Sequence, residues 1–297
     1  MSAVIETRAL GKRYRRRWAL SECTLTIPEG MVVGLVGPNG AGKTTLLHLS
    51  VGLLAPTAGA IEVLGGRPAQ GPQQLARVGF VAQDTPTYDS LTVGDHVDLG
   101  SWLNAGWNST LAERRLDQLG LDRCQKAGTL SGGQRAQLAL TLAIAKRPEL
   151  IVLDEPVASL DPLARSEFLE ALAEVVEEQG VSVVLSSHLV ADLERVCDYL
   201  IVLVGSRVQV AGPIDALLAS HRRVTGRAGG PQDTLPTNHE VIEQARSGES
   251  NTLLVRTEQP VVGQWTVEPV TLEDIVLAYM GRSHGSQGQG TRQETRP

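Results

Sequence analysis

Short runs of uninterrupted apolar residues recur along the first two-thirds of this chain, separated by longer stretches with apolar positions at helical spacing. Apolar runs at 31–36, 78–82, 151–153, 181–185 and 199–204 have strand length and lack the alternation of a half-exposed strand, so they predict buried strands. Residues 19–27 do alternate, and with Val4 and Ile5 they predict short strands before the turn Pro28-Glu29-Gly30. Further strands are expected at 60–64 and 208–211. Helices are expected from Thr44 to near Gly52, over much of 85–145, and from Pro162 to Gln179 with Gly180 at the end. Within 85–145, Thr92/Asp95 and Ser131/Gln134 have capping-box spacing, Gly120 can end an amphipathic stretch at 111–119, and Pro148 stops the helix that Ser131 opens. Strands alternating with helices predict an α/β fold around a largely parallel sheet covered on both faces.

The pattern changes after residue 221. Residues 222–236 are rich in Gly, Pro and polar groups and read as a linker. A small α+β extension is expected over 237–281, with a helix at 241–245, a strand at 252–256, and a helix capped by Thr271 and Asp274 that ends near Met280. Residues 282–297, rich in Ser, Gly, Gln and Arg, read as a disordered tail.

Composition narrows the class. The 297 residues are 42% hydrophobic but only 3% aromatic, enough for a large aliphatic core, and the formal charge is −6. A nucleic-acid binder would need a basic surface, and the one basic cluster (Arg8, Lys12, Arg13, Arg15, Arg16, Arg17) reads as a solvated face of an edge strand and turn. Cys23, Cys124 and Cys197 are odd in number and widely spaced, which argues for a reducing compartment and against a disulfide framework. No apolar h-region marks a signal peptide, and no apolar run is long enough to span a membrane.

The chemistry centres on Gly37-Pro38-Asn39-Gly40-Ala41-Gly42-Lys43-Thr44, placed between an apolar strand and a helix that opens with Thr45. That is the setting a P-loop requires. The glycines let backbone N–H groups approach a phosphate without a Cβ in the way, and the helix dipole favours negative charge there. Lys43 supplies a point charge for the β- and γ-phosphates, and the Thr44 hydroxyl is placed to ligate Mg²⁺. A second Mg²⁺ ligand is expected, and Asp154, at the carboxyl end of an apolar strand, is the candidate. Glu155 follows it and can accept a proton from an attacking water.

Leu130-Ser131-Gly132-Gly133-Gln134 lies between these two motifs. With it, residues 1 to about 220 resemble the ATP-binding subunit of ABC transporters, whose signature this pentapeptide matches. Gln83 matches the family's Q-loop, Ser159-Leu160-Asp161 its D-loop and His188 its H-loop, all in the family's order. The resemblance implies a P-loop ABC ATPase core (1–221) with a mostly parallel sheet, an antiparallel β subdomain and an α-helical signature subdomain at about 85–145. It implies that Tyr14 stacks on adenine. The P-loop through Thr45 holds the phosphates, and Thr44, Gln83 and Asp154 hold Mg²⁺. Glu155 is the general base, helped by His188, Gln83 and Lys43. Ser131, Gly132, Gly133 and Gln134, with Asp161, would meet ATP held by a second copy of the chain. ATP would then glue a homodimer whose closure moves a separate membrane permease, with the chain peripheral on the cytoplasmic face.

Two departures stand out: Val157-Ala158-Ser159 replaces a Thr-x-Gly or Thr-x-Ala run, and the Tyr14 connection is unusually arginine-rich. The stretch Trp265-Thr266-Val267-Glu268-Pro269-Val270-Thr271-Leu272-Glu273-Asp274-Ile275 resembles the ending of subunits paired with ABC-2-type exporters, including drug and antibiotic exporters. Efflux is therefore the expected direction. An importer subunit and a soluble ABC ATPase acting on ribosomes or DNA are the alternatives. A purely regulatory nucleotide sensor is disfavoured by Glu155 and His188. The transported substrate is not legible in the sequence.

Overall fold

The antiparallel β1 (Ala3–Tyr14) and β2 (Arg17–Pro28) meet across the turn Arg15-Arg16 and pair from Tyr14↔Arg17 back to Ala3↔Pro28. This computed structural model describes residues 2–85, 87–227, 239–248, 250–261 and 265–285. The sequence suggested short strands here, but both strands run to twelve residues. Register shifts along the pair, with Ala9 and Glu22 at positive φ (46° and 50°), break the apolar alternation without breaking the pairing. β4 (Ala58–Val63) adds to the other edge of β1 and completes a three-stranded antiparallel sheet.

The central sheet runs β5-β6-β7-β3-β8-β9. Its members are β3 (Val32–Val36), β5 (Val78–Val81), β6 (Leu150–Asp154), β7 (Ser182–Ser187), β8 (Tyr199–Val204) and β9 (Arg207–Pro213). All neighbours pair parallel except β8 with β9. Every residue of β3, β6 and β7 is buried, as the unbroken apolar runs require when both faces are covered. On one face, α1 (Lys43–Ser50) packs Leu46, Leu47 and Leu49 into a core shared with Val4, Ile5, Leu10 and Leu20 of the antiparallel sheet. The other face is covered by α5 (Gly132–Ala145), α6 (Pro162–Gln179) and α7 (Val190–Val196). A separate core of Val93, Val97, Leu116 and Leu138 unites α3 (Val93–Leu103), α4 (Ser109–Leu119) and the outer side of α5, forming a helical subdomain. The short α2 (Pro72–Ala76), with no buried residue, was not foreseen. Both capping boxes form, and Gly120 and Gly180 end α4 and α6 in the left-handed region.

The C-terminal region departs further from expectation. α8 (Ile214–Ser220) leads directly into β10 (His221–Arg227), so the first six residues of the expected linker are strand. The rest of it lies outside the described residues. The helix expected at 241–245 is instead part of β11 (Glu240–Ser247), which pairs antiparallel with β12 (Ser250–Arg256) across Gly248. Glu243, Gln244, Ala245 and Arg246 are good helix formers, but cross-strand pairing overrides a weak local preference. With β13 (Thr266–Glu268) the order is β11-β12-β10-β13. α9 (Leu272–Gly285) passes the expected end at Met280, so its last residues fall in the stretch read as tail; residues 286–297 lie outside the described residues. Leu272, Ile275, Val276 and Tyr279 of α9 share the main core with Leu200 and Leu217, each buried side chain contributing roughly 1.5–3 kcal/mol.

One buried polar pair ties this unit down. His221 Nδ1 donates to the Leu217 carbonyl (2.8 Å), leaving Nε2 to accept from the Tyr279 hydroxyl (3.1 Å). Burial, helped by Arg256 and Arg222 and opposed by the Leu217 carbonyl and Glu240, holds the imidazole below its ordinary pKa. The unfolded chain therefore takes up that proton first. The resulting stability is complete above the unfolded value of about 6.5 and is lost as pH falls below it. Thermal melts should show the midpoint falling from pH 7 to pH 5, with a shallower fall in His221→Gln. An unchanged slope in that variant would remove His221 from the acid response.

Candidate nucleotide site

Four parallel strands end at one edge of the central sheet, and each end delivers a candidate group. Gln83 follows β5, Asp154 closes β6 with Glu155 next, His188 follows β7, and the glycine-rich loop follows β3. Strand carboxyl ends are where open α/β sheets bind ligands. The loop's glycines at 37 and 42 are required by space. A Cβ on Gly37 would sit 2.0 Å from the Leu203 carbonyl oxygen, and one on Gly42, at φ 108°, would sit 2.3 Å from that of Ala19. Gly42 caps α1 with no side chain, so the first N–H groups of the helix stay open to an anion.

Lys43 is nearly buried. Its Nζ donates to the Gly37 carbonyl at 2.8 Å and lies 3.3 Å from Glu155 Oε1. Glu155 Oε2 is 3.1 Å from His188 Nδ1. Glu155 itself is held at φ 45°, a left-handed conformation that strains a non-glycine residue by about 1–2 kcal/mol. Its N–H donates to Ser186 Oγ, whose own hydroxyl donates to Asp154 Oδ1, both at 2.8 Å. Ser186 thus fixes the two acids relative to each other, a role not foreseen from the sequence although it stands in the run Ser186-Ser187-His188.

Lys43, Glu155 and His188 face a cavity of about 730 Å³. Tyr14, Asn39, Gly40, Ala41, Gly42, Lys43, Thr44, Thr45, Gln83, Glu155 and His188 all line it. Gly37, Pro38 and Asp154 do not, and Asp154 is buried. Arg17, Trp18, Ala19 and Ala158 line it as well. Trp18 was missed because only hairpin register brings it beside the loop: it pairs with Arg13, whose guanidinium lies 5.3 Å from the indole. Arg17 belongs to the basic cluster read as a solvated face; it is exposed, but it also borders the cavity.

Ser131, Gly132, Gly133, Gln134 and Asp161 are not at this cavity. Ser131 caps α5, with Gln134 closing the reciprocal box, and Asp161 caps α6 by accepting from the N–H groups of Leu163 and Ala164. The two helix starts pack together so closely that a Cβ on Gly133 would meet that of Ala164 at 2.8 Å. One cavity therefore joins a triphosphate-sized anion cradle to a buried lysine, a carboxylate and an imidazole, while the signature stands apart from it. Among the described residues no helix is long and apolar enough to cross a membrane.

Comparison with known proteins agrees with this geometry. Residues 20–158 match the family model described as ABC transporter. The chain is 32% identical to the Nod factor export ATP-binding protein I of Cupriavidus pinatubonensis, over 95% of this chain and 92% of that protein. It is also 32% identical to the phosphonates import ATP-binding protein PhnC of Rhizobium etli, over 75% of this chain and 86% of that one. Among solved structures it is similar to a dimeric post-hydrolysis ATP-binding cassette bound to ADP and Pi, with TM-score 0.63 and 25% identity over 70% of this chain and 98% of that one. With a P-loop at the carboxyl edge of a parallel sheet, Glu155 and His188 facing it, and a relative matched almost end to end, the chain belongs to the ATP-binding, ATP-hydrolysing subunits of ABC transporters.

Proposed function

We propose that this chain drives efflux as a homodimer, two copies closing on two ATP molecules while docked on a separate membrane permease. The observation that carries the reading is the place of the signature. Ser131 and Asp161 present two helix starts outside the chain's own cavity, a placement that supports their serving a nucleotide held by another copy.

Within one cavity the roles follow from position. The base stacks on Tyr14 and Trp18, and the phosphates lie along the loop amides and Lys43. Glu155, held by Lys43 and His188, takes the proton of the attacking water, and His188 orients that water against the γ-phosphate. Thr44, Gln83 and Asp154 offer one hydroxyl, one amide and one carboxylate. Such a sparse all-oxygen set fits Mg²⁺, which keeps waters and takes phosphate oxygens as its remaining ligands. When bound, the ion would offset the charge of the β- and γ-phosphates.

The permease has a suitable seat. An apolar groove of about 470 Å³ runs between the helical subdomain and the sheet edge, lined by Phe80, Val81, Leu99, Leu103, Trp107 and Leu142. Tyr88 and Trp102 are strongly exposed nearby, and Gln83 follows the groove-lining Ala82 directly. Docking there would place the chain on the cytoplasmic face of the membrane. Export is supported by the name of the Nod factor relative and by the Pro269–Ile275 pattern, and the phosphonate relative keeps import as the competing direction.

A pull-down of tagged Glu155→Gln chain, with ATP and Mg²⁺, from detergent-solubilised host membranes should recover a multi-span protein lacking its own ATPase domain. Recovery from the soluble fraction with ribosomes or nucleic acid would overturn the permease reading. Vesicles containing the recovered pair should then show ATP-dependent outward transport, and inward transport would reverse the direction.

A further inference from the structure

Two buried polar atoms face each other behind the catalytic edge without meeting. Arg165 Nε and Asp192 Oδ2 are both buried, and neither has a hydrogen-bond partner among the described residues. They lie 3.9 Å apart, about an ångström beyond a charge-assisted hydrogen bond. Asp192 is only 6% exposed. Leaving buried polar atoms of charged groups unpaired is costly, so a fold that buries these two atoms is one in which they pair in some state.

Their placement says which state. Arg165 lies in the first turns of α6, one turn after the cap Asp161, and its Nη2 reaches back to the Leu160 carbonyl at 3.4 Å. Asp192 lies in the first turn of α7, immediately after the loop that carries His188. Arg195, one turn further along α7, donates to Ser166 Oγ at 3.0 Å, beside Arg165, and holds the later part of α7 against the first turns of α6. The gap therefore lies between the first turns of α6 and of α7, which the segments Glu155–Asp161 and Ser187–Leu189 run into.

We propose that Arg165 and Asp192 are positioning residues for hydrolysis. Their pair closes when nucleotide fills the cavity that Glu155 and His188 line, locking the Asp161 segment to the His188 loop in the geometry that turns ATP over. The inference rests on the roles proposed above for Glu155 and His188. The pair touches no reacting atom; it acts through the loops at either end of it.

The test is steady-state ATPase activity and thermal midpoint of the full chain. Asp192→Asn and Arg165→Met should each lower kcat about tenfold or more with KM for ATP nearly unchanged, since a misplacement of about 1 Å is enough for such losses. Asp192→Glu, reaching one methylene further, should keep kcat near that of the unaltered chain. The charge-free pair Arg165→Met/Asp192→Leu should recover the thermal midpoint lost in the single variants while kcat stays low. Recovery of kcat together with the midpoint would show a merely structural ion pair and overturn the proposal, as would equal losses in Asp192→Glu and Asp192→Asn. Glu155→Gln measured alongside separates the two readings. If it turns ATP over freely, the roles of Glu155 and His188 fall and the proposal falls with them. If it is inactive while Asp192→Asn is fully active, only the positioning role falls.

Discussion

Glu155→Gln is expected to bind ATP at least as tightly as the unaltered chain and to lose about 10³-fold in turnover, the usual scale for removing a general base. The substitution keeps the shape; its amide oxygen can still accept from Lys43, 3.3 Å from the present Oε1, and its NH₂ group then faces His188, 3.1 Å from the present Oε2. It removes the only carboxylate among the described residues that line the cavity, the group placed to take the water proton. It also removes one negative charge from beside a triphosphate, which favours binding. The strained backbone at Glu155 is held by Ser186 and not by the carboxylate, so the loop should keep its shape. Turnover and nucleotide affinity, measured on the same preparation, check both halves. Undiminished turnover would take the base role from Glu155, and lost ATP binding would show that its charge chiefly holds Lys43 in place. Trapped with ATP, this variant should also run as a dimer in size-exclusion chromatography.

The legible part of this molecule is the part whose signals are local. Strands buried on both faces need unbroken apolar runs, so β3, β6 and β7 were visible as such. Capping boxes need two residues three apart, and those at Thr92, Ser131 and Thr271 all form. Candidate groups at the strand ends were visible because each directly follows its strand. What escaped depends on partners distant in sequence. β11 carries helix-forming residues and becomes a strand only because β12 pairs with it. Trp18 reaches the cavity through hairpin register, Ser186 links two acids from the neighbouring strand, and Arg165 comes to face Asp192 only after α6 and α7 have packed. The positive φ values at Ala9 and Glu22 hid the full length of β1 and β2, since each bulge reverses the in–out alternation.

Ser131→Arg is expected to leave ATP binding by single chains intact while abolishing both ATP-dependent dimerisation and turnover. Ser131 does not line the chain's own cavity, so the substitution touches neither Lys43 nor the loop amides. Locally it removes the cap that accepts from the Gln134 N–H, a loss of about 1 kcal/mol that the 14-residue, well-buried α5 can absorb. At the dimer face proposed above the consequence is larger. A small hydroxyl over open helix N–H groups is replaced by a long side chain that fills the space a partner's γ-phosphate needs. Glycines at 132 and 133 keep that surface low, and Gly133 is already pressed against Ala164, so the helix start cannot retreat to make room. In the Glu155→Gln background, size-exclusion chromatography with ATP should give a dimer, and the added Ser131→Arg should return it to monomer with nucleotide affinity unchanged. Ser131→Ala supplies the control, since it loses the cap without the bulk and should still dimerise. If Ser131→Arg dimerises with ATP as well as its parent, the signature does not complete a partner's site. If Ser131→Ala also fails, the cap and not the steric block governs closure.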